Sequence, residues 1–210
     1  MGAKQHRSVT QHLFCILKDI EAALHIDGVI NMRLFIAINF DGQVKSNIDN
    51  IIKIIEKYAN QGRFVKKEHL HLTLEFLGEI AEERVEDITS AMEVLNSAPF
   101  TISLSSIGFF KGRDGHIYWL GITENKDLMD MQEELHDLLL ERAFKLENRK
   151  YKPHVTIGRK VKMVNAFNLD ELKESIREIQ IPVNSIELMK SERIDGKLVY
   201  TEIFSKALRS

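Results

Sequence analysis

The chain has 210 residues, 44% hydrophobic and 29% charged, enough to bury a real core in one domain or two small lobes and too apolar for wholesale disorder. Its 29 basic and 31 acidic residues leave a formal net charge of −2, which argues against a protein that coats nucleic acid or a membrane through overall charge. The single cysteine, Cys15, excludes an internal disulfide and a cysteine-rich zinc site. No apolar run approaches the ~20 residues of a membrane span, and the run Leu13–Leu17 is too short for a signal-peptide core. The expectation is a cytoplasmic protein.

In chain order, residues 1–31 stand apart, with His6, His12, His25 and one short amphipathic stretch around Leu13, Phe14, Ile16, Leu17 and Ile20. They read as an N-terminal extension of uncertain role, and 32–210 as a single domain opening on the strand-like run 33–38. Helical spacing follows at Val44, Ile48, Ile51, Ile55 and Tyr58, then at Val85, Ile88, Met92 and Leu95. A third helix is predicted through Leu128, Met131, Leu135, Leu138 and Leu139, and a fourth through Leu169, Leu172, Ile176 and Ile179. Strand-like runs fall at 33–38, 70–76, 100–107, 116–122, 154–158, 181–190 and 197–205, with a hairpin signal at Asp195-Gly196. The pattern is α+β, with antiparallel hairpins and helices packed on sheets.

Two of these strands carry chemistry. In 69–78, His-Leu-His-Leu-Thr-Leu-Glu-Phe-Leu-Gly, alternation puts Leu70, Leu72, Leu74 and Phe76 on a core face. His69, His71, Thr73 and Glu75 take the other. In 152–159, Lys-Pro-His-Val-Thr-Ile-Gly-Arg, His154 and Thr156 lie opposite Val155 and Ile157. The tetrad His-x-Thr-x therefore occurs twice, 83 positions apart, as in a duplicated structural unit. One copy is weak evidence; two on matching strand faces are much stronger. Imidazole has a reference pKa of about 6.5, so two facing histidines can divide general base and general acid between them. Two threonine hydroxyls can donate to an anionic oxygen. Together these parts describe a phosphodiester site that works without metal.

On these residues the chain resembles the two-histidine (2H) phosphoesterase superfamily, specifically the RNA 2′,3′-cyclic phosphodiesterases, also called 2′-5′ RNA ligase-like proteins. Arg33-Leu-Phe-Ile-Ala-Ile38, Leu70–Gly78, Trp119-Leu-Gly-Ile122 and Lys152–Arg159 carry the match over roughly 32–205. The resemblance implies a bilobed α+β fold with two pseudo-symmetric antiparallel sheets backed by helices and a central cleft lined by the tetrads. It implies hydrolysis of an RNA 2′,3′-cyclic phosphate to a 2′-phosphate without metal or cofactor. His71 would be the general acid, His154 the general base, and Thr73 and Thr156 the phosphate holders. The partners it implies are RNA ends or nucleotides bearing the cyclic phosphate; the sequence itself offers no membrane span and no evident obligate protein partner. It also points to Arg159 as a phosphate contact. The offset of five from His154 would turn that side chain to the core side of a regular strand, unless the strand bulges near Gly158.

Other residues have competing readings. His69-x-His71 with Glu75 is also metal-ligand spacing, although it leaves the threonines without a role. His69 otherwise reads as a rim or packing residue, Glu75 as solvated or a contact to a histidine, and His136 as solvent-facing. Phe110, Tyr118 and Trp119 are either core aromatics or a base-stacking platform. Basic residues surround the second tetrad (Arg149, Lys150, Lys152, Arg159, Lys160, Lys162) and precede the first (Arg63, Lys66, Lys67), which suits attraction of one phosphorylated end. Alternative functions are a phosphodiesterase acting on ADP-ribose cyclic phosphate or a 2′,5′-linked oligonucleotide, and a catalytically idle module that binds RNA ends.

Overall fold

The computed structural model describes residues 31–165, 167–175 and 177–209. Of the proposed extension, residues 1–30, including Cys15 and the first three histidines, lie outside the described residues, whereas Asn31 opens the first strand. Met32–Ser210 forms one compact unit.

Its first strand, β1 (Asn31–Asn39), is followed by helix α1 (Gly42–Glu56). Asp41 caps that helix by accepting from the Val44 amide at 2.7 Å. Val44, Ile48, Ile52 and Ile55 form its buried stripe. Tyr58 lies beyond the helix and is 42% exposed. Next come β2 (Ala59–Phe64), β3 (His71–Ala81) and α2 (Val85–Val94). β4 (Phe100–Phe110) and β5 (His116–Ile122) lead into α3 (Lys126–Glu141), capped by Asn125. β6 (His154–Met163), α4 (Leu169–Ser175), β7 (Ile179–Val183), β8 (Ser185–Ile194) and β9 (Lys197–Ala207) complete the unit.

The strands form two sheets, one ordered β3-β1-β8-β9 and the other β2-β6-β5-β4-β7. The pairs β1–β8, β8–β9, β2–β6, β5–β6, β4–β5 and β4–β7 are all antiparallel. The α+β class with two antiparallel sheets is thus observed. Each tetrad begins a strand of a different sheet, and β3 and β6 are strands through which the sheets approach. One hydrophobic core runs through both, from Leu34, Ile36 and Leu72 to Leu104, Leu120, Val155 and Ile157.

The structure differs from the sequence reading at several places. The run 181–190 is two strands in different sheets, with the chain passing between them at Asn184. Pro182 is tolerated because β7 is an edge strand, where a missing amide costs no ladder bond. Ile179 belongs to β7 rather than to the fourth helix. β2 was not predicted: Ala-Asn-Gln-Gly-Arg-Phe has no apolar alternation, because this edge strand is mostly exposed.

Candidate active site

Alternation holds along β3 from Leu70 to Leu74 and then shifts by one place. Leu72 and Leu74 are buried, but the next core residue is Leu77, while Phe76 is 44% exposed. The Phe76 ring lies 6.0 Å from Phe35, whose ring is also 4.9 Å from that of His71. Phe76 therefore belongs to the surroundings of His71 and not to the main core. Glu75 is correspondingly buried, not solvated. Its Oε2 accepts from His136 Nδ1 at 2.8 Å and Gln132 Nε2 at 3.3 Å. His136 consequently faces a carboxylate on β3 instead of open solvent. Glu75 is engaged on α3, and no group of three or more His, Cys, Asp or Glu among the described residues is placed to hold an ion.

The two tetrads repeat in geometry as well as in sequence. His71 Nδ1 lies 2.7 Å from the His69 carbonyl, and His154 Nδ1 lies 2.7 Å from the Lys152 carbonyl. A carbonyl only accepts, so in each case Nδ1 carries the hydrogen and donates. That bond sets the tautomer and leaves Nε2 as the unprotonated, basic nitrogen of the neutral ring. His71 Nε2 is 3.1 Å from Thr73 Oγ1, where the hydroxyl donates. All four tetrad side chains are half-buried: reachable, yet partly withdrawn from water.

Burial sets the electrostatics. Desolvation pushes the His71 pKa down to about 4 against the support of the His69 carbonyl, and the charges of Lys45 and Arg159 push the same way. Desolvation also lowers His154, with Arg149 and Arg159 adding to it. A histidine held neutral in the folded state affects stability with a definite sign. Unfolded His71 takes a proton below about pH 6.5, whereas the folded ring resists until about pH 4. The contribution is therefore present above pH 6.5 and is lost as pH falls between those values, by roughly 3 kcal/mol. Urea unfolding at pH 7 and pH 4.5 should show this loss, and His71→Gln should make it shallower. An equal pH slope in the variant would refute it.

Arg159 reaches the site by a local irregularity in β6. The two-residue step Thr156–Gly158 opposes a one-residue step, Trp119–Tyr118, on β5. The extra residue reverses the alternation, so the odd offset returns Arg159 to the side of His154. Gly158 permits this: a Cβ there would lie 2.9 Å from Val161 Cγ2 and 3.1 Å from Phe64 Cδ1. Beyond it, the step Gly158–Val161 opposes only Tyr118–His116, with Lys160 in the left-handed region at φ 55°. Arg159 is exposed and its charge is felt at His71, His154 and Tyr200. Among the described residues it makes no ion pair, whereas Arg149 pairs with Glu147 and Lys160 with Asp114.

Three residues near the site were not singled out from sequence. Tyr200 on β9 has its ring 5.4 Å from His71 and 4.8 Å from His69. Phe35 packs against both His71 and Tyr200, with ring centres 4.9 and 5.1 Å away. The Tyr151 hydroxyl donates to the Thr73 carbonyl at 2.9 Å, tying β3 to the segment that enters β6. Burial and nearby Glu75 push the Tyr151 phenol well above its usual pKa, so it remains a donor. Tyr151→Phe should lower stability by about 1 kcal/mol, read as a shift in urea midpoint; an unchanged midpoint would show the bond to be idle. Only partner geometry reveals such residues. Of the three aromatics considered from sequence, Tyr118 is core, at 4% exposure. Phe110 and Trp119 stand beside His154 at 5.2 and 6.4 Å between ring centres.

Two strands of different sheets, β3 and β6, thus each carry a histidine whose Nδ1 donates to a backbone carbonyl and a threonine two residues along, and the charge of Arg159 acts on both histidines. The family model described as the 2′-5′ RNA ligase superfamily matches residues 45–195, and the chain belongs to that superfamily. A Thermotoga maritima protein named RNA 2′,3′-cyclic phosphodiesterase is 34% identical over 154 residues, 72% of this chain and 79% of its own. A Methanocaldococcus jannaschii protein of the same name is 32% identical over 177 residues, 82% of this chain and 98% of its own. Escherichia coli LigT complexed with 3′-AMP matches in fold with a TM-score of 0.70 at 24% identity, covering 86% of this chain and all of that one. No helix among the described residues is long and apolar enough to cross a membrane.

Proposed function

We propose that this chain is an RNA 2′,3′-cyclic phosphodiesterase that opens the cyclic phosphate to a terminal 2′-phosphate by general acid and base catalysis, without metal. The activity is that of the curated relatives. The observation that supports the mechanism is the repeated Nδ1–H to carbonyl bond, which leaves the same nitrogen, Nε2, basic at both histidines. His154 is the base: its Nδ1 contact lies at the more exposed position, where water has access. It takes the proton of the attacking water as the new P–O bond forms. His71 is the acid: the P–O3′ bond breaks and its Nε2 gives its proton to the departing oxygen. Free His71 is neutral at pH 7, since its pKa is about 4. It gains its proton as the phosphate anion binds, because an adjacent negative charge favours the imidazolium. Thr73, Thr156 and Arg159 hold the non-bridging oxygens, which carry the charge that grows in the transition state.

The substrate is an RNA end or a nucleotide bearing the cyclic phosphate. Arg159, Arg149 and Lys45, whose charges are felt at the histidines, suit that local anion despite the net charge of −2. Phosphorus NMR of a nucleoside 2′,3′-cyclic phosphate turned over in EDTA tests the reading. The expected product is the 2′-phosphate at an undiminished rate. A 3′-phosphate product would remove the assignment of the leaving oxygen, and loss of turnover in EDTA would remove the metal-free mechanism.

A further inference from the structure

Glu75 is a buried carboxylate that the proton transfers do not use. Strict alternation would set it on the face of His71 and Thr73, yet it is only 7% exposed and its Oε2 meets His136 Nδ1 and Gln132 Nε2 on α3. Those two residues are four apart and share one helix face, beside the apolar stripe of Leu128, Met131, Leu135 and Leu139. A carboxylate withdrawn from water needs such donors, and its removal would strand them. Glu75 thereby ties α3 to β3 two residues beyond Thr73.

A second tie lies alongside. The Tyr151 hydroxyl donates to the Thr73 carbonyl at 2.9 Å, and the charge of Glu75 is felt at that phenol. Residues 142–153, which join α3 to β6, belong to no helix or strand. No ladder of backbone bonds therefore fixes the Lys152 carbonyl, to which His154 Nδ1 donates. That carbonyl directly follows Tyr151. His71 instead donates to His69, which ends a single helical turn, Lys67–His69, ahead of β3 and away from Glu75 along the chain. The strand of the first histidine thus carries the group that steadies the second.

We propose that Glu75 is a positioning residue for His154: together with Tyr151 it anchors the irregular segment that presents the Lys152 carbonyl, and so fixes the direction of His154 Nε2 on the other sheet. Its effect on turnover rests on the proposed reaction, in which His154 takes the proton of the attacking water. The charges acting on His154 are those of Arg149 and Arg159, so Glu75 reaches it through the backbone and not through its own field. A loosened carbonyl lets the ring turn and spoils the line from Nε2 to the attacking oxygen. A misplacement of that kind costs rate more than binding.

NMR of the whole chain with labelled imidazole nitrogens reads the exchange of each Nδ1–H with water. Glu75→Ala should speed exchange at His154 by about tenfold, the scale of one lost buried hydrogen bond, and leave His71 within about twofold although it shares a strand with Glu75. Glu75→Gln keeps an oxygen that accepts from His136 and Gln132, and should restore the slow rate. Tyr151→Phe releases the segment from its other end and should repeat the selective loosening, which keeps the test decisive if Glu75→Ala does not fold. Equal acceleration at both histidines would overturn the proposal, as would an unchanged rate at His154 or a failure of Glu75→Gln to restore it. In turnover, Glu75→Ala should lower kcat about tenfold with KM nearly constant, and should do little once His154 is already asparagine. An equal loss in that background would also overturn it. The selective NMR pattern with no opening of cyclic phosphates by the unaltered protein would overturn the proposed activity and leave the placement of His154 by Glu75 supported.

Discussion

Replacing either His71 or His154 by asparagine should lower turnover of a nucleoside 2′,3′-cyclic phosphate by about 10²–10⁴-fold, the usual share of a general acid or base. Asparagine is the informative choice because its side-chain amide can still donate to the carbonyl that each Nδ1 now meets at 2.7 Å. It has no counterpart of the basic Nε2. A fall with asparagine thus reports lost proton transfer and not a lost structural bond. The pair acts in one step, so the double variant should fall little further than the worse single one. Turnover within tenfold of the unaltered protein in either single variant would remove that histidine from the reaction. The pH dependence is a second check: the site works only where His71 regains its proton in the complex. The kcat profile should therefore show a His71 pKa well above the value of about 4 held by burial in the free protein.

Arg159→Ala should cost about 10²-fold in kcat/KM, the lower end of losing one charge-stabilising donor, because Arg159 is exposed. The same substitution should move both histidines in a direction that a merely folding role would not. Arg159 lowers the pKa of His71 and of His154, so removing it must raise both. NMR titration of the ring protons reads those shifts directly. Arg159→Lys keeps the charge but loses the planar fork, and should fall between the two in kcat/KM with little change in either titration. If Arg159→Ala leaves kcat/KM intact while the pKa values rise, Arg159 tunes the histidines without touching the phosphate. If neither changes, its guanidinium does not reach the site.

Much of this was legible from residue order because strand chemistry is local. The period of two placed His71 with Thr73 and His154 with Thr156 on their strand faces, and the repeat marked the pair as a unit. Helices α1 and α3 were legible for the same reason, since an apolar stripe follows from a local period. Where a residue met a partner distant in sequence, the local pattern misled. Glu75 looked solvated and His136 looked exposed until α3 brought them within 2.8 Å. Phe76 belonged to the core only if alternation continued, and it does not. β2 left no signal because an exposed edge strand gains its place from backbone pairing with β6, not from side chains.

The two His-x-Thr-x tetrads, read from sequence alone, pointed to the proposed kind of reaction: proton transfer by two imidazoles at a small anion. Tertiary structure decided which groups stand near those histidines. Arg159 is the clearest instance. Its offset of five points it to the core on a regular strand, and only the register slip against Trp119 and Tyr118 turns it back. Tyr200, Phe110 and Trp119 gain their places beside the histidines in the same way, from pairings that no single stretch of chain contains. Alternation is dictated by the bond geometry of one strand, whereas a bulge or a shared charge is settled between strands, where register, burial and packing compete.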